Sequence, residues 1–163
     1  MKKKLSFLFL IFWISSIYSQ TSSLPDFSLE SISGEKVSLH KLLEKGPVYI
    51  NFWALWCVPC RAELKALQSI YEQLQNKNVS IVAINIDSPR SSSKVKSFIS
   101  GMKYSFDVLL DINQEVFQKF GGSSLPYSIL IDGNGKIIKV RNSFLPGDEK
   151  EILKDIEGVL SKK

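Results

Sequence analysis

Two cysteines, the only ones among 163 residues, stand two residues apart in Trp56-Cys57-Val58-Pro59-Cys60. A pair at this spacing can cycle between dithiol and disulfide, form a static crosslink, or give two ligands to a metal. A static crosslink over so short a loop removes little entropy from the unfolded chain. A closed zinc site needs four donors. The single histidine, His40, precedes the motif in a different predicted element, so no metal is expected. Redox cycling needs one sulfur as the thiolate, the form that attacks a disulfide. The residues around the pair supply that condition. Val48–Trp53 is a β-branched and aromatic run that predicts a buried strand, and a helix is predicted from Pro59 to Asn76. Cys57 therefore falls at a helix N-terminus, where unpaired N–H groups and the helix dipole depress a thiol pKa. Cys60, one turn on, can resolve the mixed disulfide that Cys57 forms. Pro59 suits the first helical turn, where its missing N–H had no partner to lose. Trp56 offers an apolar surface beside the attacking sulfur.

Glu63 is the next residue with chemistry in it. On the predicted helix, Cys60, Glu63, Leu67, Ile70 and Leu74 share one face. Glu63 thus interrupts an apolar stripe one turn below the second cysteine. Burial there would desolvate its carboxylate and raise its pKa towards neutrality, where it can exchange a proton with Cys60. The plainer alternative is a boundary glutamate that suits the first helical turn. Arg61 reads as an exposed helix arginine, and His40 as a surface residue or a satisfied core one. Asn78-Val79-Ser80 has the form of a glycosylation acceptor, a triplet common by chance.

The rest of the chain must position these groups. Phe27-Ser28-Leu29 and Lys36-Val37-Ser38-Leu39 alternate around Ser33-Gly34 and predict a hairpin. Ser38 to Leu43 reads as a short helical turn, broken by Gly46-Pro47. Ser80–Ile86 is a second buried strand. Val95, Phe98, Ile99 and Met102 mark a helix capped by Ser91 or Ser92. Val108–Leu110 is a short strand. Asn113 is expected to cap a helix carrying Val116, Phe117 and Phe120, ended by Gly121-Gly122. Tyr127–Ile131 and Lys136–Val140 flank Asp132-Gly133-Asn134-Gly135, a hairpin turn. Asp148 and Glu151 resemble a capping box at the start of a last helix. Strands alternating with helices argue an α/β sheet covered on both faces.

Length predicts one domain. Apolar residues at 44% and charged residues at 23% exclude a disordered chain. Lys2, Lys3 and Lys4 supply three of the five net positive charges, so no basic face for nucleic acid is implied. Those lysines precede an apolar run, Leu5 to Tyr18, and then a polar stretch at Ser19-Gln20-Thr21. This is the pattern of a secretory signal. The run is shorter than the roughly 20 residues of a spanning helix. Residues 1–19 are expected to be a cleaved signal peptide, with an uncleaved anchor as the alternative, and residues 20–163 the domain. Either way the domain lies outside the cytoplasm, where thiols oxidise unless something reduces them.

Asn51-Phe52-Trp53-Ala54-Leu55-Trp56-Cys57-Val58-Pro59-Cys60 resembles the active-site segment of thioredoxin-fold proteins. The leader, the Pro25-Asp26-Phe27 hairpin, the Ser91–Met102 helix and the segment Leu125-Pro126-Tyr127-Ser128-Ile129-Leu130-Ile131-Asp132 narrow the likeness. They resemble the TlpA/ResA-like thiol-disulfide oxidoreductases, over about residues 24 to 160. The resemblance implies a central mixed β-sheet flanked by helices on both faces, with an N-terminal β-hairpin extension. It implies a cis-proline at Pro126 facing the cysteines, with the preceding residue, Leu125, lining the substrate groove. Read by itself, Pro126 is a proline placed where a strand begins. The group also carries a glutamate three residues after the second cysteine, which Glu63 matches. Many thioredoxins have a buried aspartate where Asn51 stands, which suggests that Glu63 takes over its proton handling.

The expected activity is reduction of disulfides in partner proteins, with no cofactor beyond the Cys57–Cys60 pair. A membrane thiol-disulfide donor would regenerate the dithiol. The chain is expected to be a monomer, and the resemblance makes cytochrome c maturation a candidate pathway. Three alternatives stand beside it. An oxidase or isomerase would share the fold, but the apolar Val58-Pro59 stabilises a thiolate less than histidine would and favours a reducing pair. A peroxiredoxin-like peroxidase would carry threonine where Ala54 stands. A metal-binding chaperone would need a wider cysteine spacing and a later histidine.

Overall fold

A computed structural model describes residues 24–161; the leader assigned to residues 1–19 lies outside the described residues. Seven strands form one sheet in the order β2-β1-β5-β4-β3-β6-β7. The central strands β3 (Val48–Trp53) and β4 (Ser80–Asn85) are buried along their whole length and pair in parallel. Their continuous apolar runs suit a sheet covered on both faces. β5 (Asp107–Leu110) adds in parallel to β4. β6 (Tyr127–Ile131) runs antiparallel to β3, and β7 (Ile137–Arg141) closes that edge. The sheet is therefore mixed. The hairpin of β1 (Ser28–Ser31) and β2 (Lys36–Ser38) is not a separate appendage. It extends the same sheet through antiparallel pairing of Glu30 and Ser31 with Leu110 and Leu109.

Among the described residues five α-helices accompany the strands: α1 (Leu39–Leu43), α2 (Val58–Gln73), α3 (Ser92–Met102), α4 (Glu115–Lys119) and α5 (Asp148–Leu160). Among the described residues none is long and apolar enough to cross a membrane. Helix α2 buries Cys60, Glu63, Leu64, Leu67 and Ile70, the face expected from the spacing. Gly46 makes the turn into β3 at φ +138°. A Cβ there would stand 2.1 Å from the Asn78 carbonyl oxygen, so only glycine lets the two backbones meet.

Three expected caps are built differently. Ser91 occupies the N-cap of α3 as expected, but its side chain makes no capping hydrogen bond, because the 3-10 turn at Pro89–Ser91 runs straight into the helix and leaves it in helical backbone. Asn113 does not cap α4. The N-terminal position is Gln114, at φ +60°, and Asp111 reaches in from the end of β5 to accept from Phe117 N at 2.8 Å. Asp148 and Glu151 do not form a capping box. Gly147 occupies the cap, Asp148 accepts from Leu145 N at 2.8 Å, and Glu151 sits 3.8 Å from Arg141.

Candidate active site

The site lies at the C-terminal end of β3, where the chain passes from the core to the surface. Trp53 and Ala54 are fully buried, Cys57 is 4% exposed and Cys60 is 0% exposed, while Trp56, immediately before Cys57, is 69% exposed. Cys57 occupies the N-cap position of α2 with extended backbone. Its Sγ accepts a hydrogen bond from Cys60 N at 3.2 Å, the kind of contact that holds a negative sulfur at a helix N-terminus. Pro59 is in the first turn, as expected. The two cysteines form a disulfide with Sγ–Sγ 1.99 Å and Cα–Cα 5.2 Å. Cys57 is the outer sulfur and Cys60 the inner one.

The Leu125–Pro126 bond is cis. The register that pairs Tyr127 with Phe52 brings Pro126 to the β3 end from which the cysteines emerge. Leu125 is half-buried beside the core and Pro126 is buried. Trp56 and Val58, the latter 66% exposed, leave an apolar rim around the disulfide.

Glu63 is buried, with 1% exposure, one turn below Cys60. Tyr49 Oη donates to its Oε1 at 3.1 Å and Ser128 Oγ donates to the same oxygen at 2.6 Å. Burial pushes the carboxyl up to about 7, and the hydrogen bonds from Ser128 and Tyr49, with the Asn51 amide nearby, oppose that rise only in part. Tyr49 is itself held well above its ordinary value, first by burial and then by the neighbouring Glu63 charge. The boundary alternative for Glu63 is excluded by this burial.

Several residues here were not singled out from the sequence. Tyr49 and Ser128 surround Glu63 together with Asn51, which the sequence marked only as standing where many thioredoxins carry a buried aspartate. The available signal was polar atoms inside apolar strands, with Tyr49 and Asn51 on the same face at a spacing of two. Asp87 is another. Its Oδ2 accepts from Leu55 N at 2.7 Å and from Asn85 Nδ2 at 2.8 Å. Arg61 is not the free surface arginine expected: it is half-buried and donates to the Leu55 carbonyl oxygen. Leu55, two residues before Cys57, is thus fixed at both its N–H and its C=O. Removing the carboxylate in Asp87→Ala leaves that N–H unpaired. The expected cost is about 1–3 kcal/mol, read as a lowered urea midpoint; an unchanged midpoint would show that Asp87 does not anchor the loop. His40 lies on the surface, with Nδ1 3.1 Å from Glu44 Oε1. Asn78 is exposed but Ser80 is buried at the start of β4.

A mixed sheet flanked by helices, with a cysteine pair opening the helix after its central strand and a cis-proline beside it, defines a thioredoxin-like domain of the thiol-disulfide class. The family is equally plain: the chain belongs to the AhpC/TSA family, whose model matches residues 21–140. The resemblance to ResA-like proteins holds in sequence. The chain is 35% identical over 122 residues to the thiol-disulfide oxidoreductase ResA of Bacillus subtilis (strain 168), covering 75% of this chain and 66% of that protein. It therefore spans slightly under two thirds of the length of the curated relatives it matches. The structure of a putative thiol:disulfide interchange protein DsbE from Chlorobium tepidum matches with TM-score 0.78 and 29% identity. That match covers 85% of this chain and 95% of the other. An uncharacterized thioredoxin-like protein from Porphyromonas gingivalis matches with TM-score 0.71 and 34% identity, covering 85% and 92%.

Proposed function

We propose that this chain is an extracytoplasmic thiol-disulfide oxidoreductase that reduces disulfides in partner proteins. The observation that carries the reading is the Cys57–Cys60 disulfide at the N-terminus of α2, with the outer sulfur accepting from a helix N–H. In the reduced chain, Cys57 thiolate attacks a partner disulfide. One partner sulfur joins Cys57 and the other leaves as a thiolate. Cys60 then loses its proton to Glu63 and attacks Cys57. The bond from Cys57 to the partner breaks, the partner's second sulfur leaves as a thiolate, and the Cys57–Cys60 disulfide forms. Two electrons pass to the partner, and the proton on Glu63 is available to the leaving sulfur. Trp56, Val58, Pro59, Leu125 and Pro126 form the surface against which the partner chain rests.

An external dithiol must return the two electrons, and a membrane thiol-disulfide donor fits a domain placed outside the cytoplasm. No cofactor and no metal take part in this cycle. The ResA-like likeness makes cytochrome c maturation a candidate pathway, although the cysteine chemistry is the same for any partner with a reachable disulfide. A peroxidase is disfavoured because the buried Ala54 stands where that chemistry places a threonine hydroxyl.

The test is the reduction potential of the full chain, read from tryptophan fluorescence in defined thiol buffers, since Trp53 and Trp56 closely precede the pair. A potential near or below roughly −250 mV is expected for a reductase. A value of roughly −120 to −180 mV would reverse the proposed direction and assign disulfide formation or isomerisation instead.

A further inference from the structure

The Glu63 carboxyl is held through one oxygen only. Both hydroxyls that reach it, from Tyr49 and Ser128, donate to Oε1. Asn51 Nδ2 in turn donates to Ser128 Oγ at 3.2 Å. An amide nitrogen can only donate, so the Ser128 oxygen accepts from Asn51 and its own proton is committed to Glu63. Sheet register enforces this order, because Asn51 and Ser128 are direct cross-strand partners on β3 and β6. Two acceptors in the cluster are left over. Glu63 Oε2 and Asn51 Oδ1 are buried and have no hydrogen-bond partner among the described residues. A proton placed on Oε2 turns one of these acceptors into a donor. A proton placed on Oε1 would instead compete with two hydroxyls that already donate there.

We propose that Tyr49 and Ser128 are positioning residues for proton transfer at Cys60: by donating together to Oε1 they confine the transferable proton of Glu63 to Oε2, with Asn51 orienting Ser128. This rests on the reading that Glu63 takes the Cys60 proton. In that step the Cys60 S–H bond breaks and its proton moves to Oε2. The Cys60 sulfur bonds to Cys57, and the partner sulfur leaves Cys57 with the electron pair. The two hydroxyls serve the step by holding the charged carboxylate ready at a site where burial alone would keep it protonated. The other groups around Glu63 do not duplicate this. α2 contributes Cys60 and β6 the neutral Ser128. Arg141 of β7 acts from further off and is engaged by Glu151 and Asp155 of α5.

The test follows the Glu63 side-chain carboxyl by 13C NMR through a pH titration of the oxidised full-length chain. In parallel, the reduced chain is loaded at Cys57 with thionitrobenzoate, and its release by Cys60 is timed against pH. Both hydroxyls favour the charged form, so Tyr49→Phe and Ser128→Ala should each raise the Glu63 midpoint by about one pH unit. The release profile should move the same way, and Ser128→Thr, which keeps a hydroxyl, should restore both. Tyr49→Phe deletes a single oxygen and keeps the test open if the serine variants misfold. A midpoint that stays put or falls in Tyr49→Phe overturns the assignment. If Glu63→Gln leaves the release profile unchanged, the proton-handling reading of Glu63 itself falls, whatever the carboxyl titration shows.

Discussion

A chain carrying Cys60→Ser should accumulate stable covalent complexes with its disulfide partners, while Cys57→Ser should form none. The asymmetry follows from geometry. Cys57 caps α2 at the surface and is the sulfur a partner can approach, whereas Cys60 has no exposed surface and can meet a sulfur only at Cys57. Their Cα atoms are 5.2 Å apart. Resolution by Cys60 is thus an intramolecular attack, and well-oriented attacks of this kind reach effective concentrations of roughly 10⁵ M or more. External thiols at millimolar levels cannot match that. Turnover should fall by at least about 10³-fold in Cys60→Ser, although the first attack survives. Non-reducing electrophoresis and mass spectrometry of purified mixtures with a disulfide-bonded protein would show the adduct. Adducts through Cys60 in a Cys57→Ser chain, or undiminished turnover in Cys60→Ser, would exclude the assigned order of attack. A metal-binding role for the pair would give no adduct with either variant.

The second large effect is on stability and depends on pH. Burial raises Glu63 from 4.5 to about 7 in the folded chain. Between those values the folded state binds a proton that the unfolded state has lost, so stability falls as pH rises. The fall begins near 4.5, is complete above about 7, and amounts to about 3 kcal/mol. Glu63→Gln removes the titration and keeps an oxygen that can accept from Tyr49 and Ser128. The oxidised variant should therefore match the parent closely at the acid end of this window and exceed it by about 3 kcal/mol at pH 8. Urea unfolding of both chains at pH 5 and pH 8 measures the difference, and the disulfide keeps the cysteines from titrating. An equal gap at both pH values would mean that Glu63 is not protonated by the fold. A glutamate with this cost at neutral pH does not serve stability, which accords with the proton exchange with Cys60 proposed for it.

The strands and the principal helices were legible because each carries a periodic signal strong enough to survive without context. Val48–Trp53 was bounded correctly by its β-branched and aromatic run, and the stripe on α2 predicted the buried face that includes Glu63. The caps of α4 and α5 were not legible, and at α3 the expected Ser91 holds the position without the expected side-chain bond. A cap depends on which backbone groups remain unpaired after neighbouring segments have docked, and at α4 the accepting carboxylate belongs to Asp111, outside the helix. Arg61 was misread for a related reason. Its spacing put it on an outer face, but the loop at Leu55 folds back and offers it a carbonyl.

The sequence by itself determined the chemistry of this protein: two cysteines at the start of a helix after a buried strand, and a carboxylate on the buried face one turn further on. Those are facts of local spacing, and helix geometry converts them directly into positions. Tertiary structure alone decided what surrounds them. The clamp of Asp87 on Leu55 and the meeting of Tyr49, Asn51 and Ser128 at Glu63 join residues far apart in the chain, and the isomer of the Leu125–Pro126 bond is not fixed by those two residues alone. Ser128 is 65 residues from Glu63 and 77 from Asn51. No local period relates such residues. The pairing of β3 with β6 and the packing of α2 across them bring the hydroxyls to the carboxylate, and burial in that layer gives the carboxyl its altered affinity for a proton.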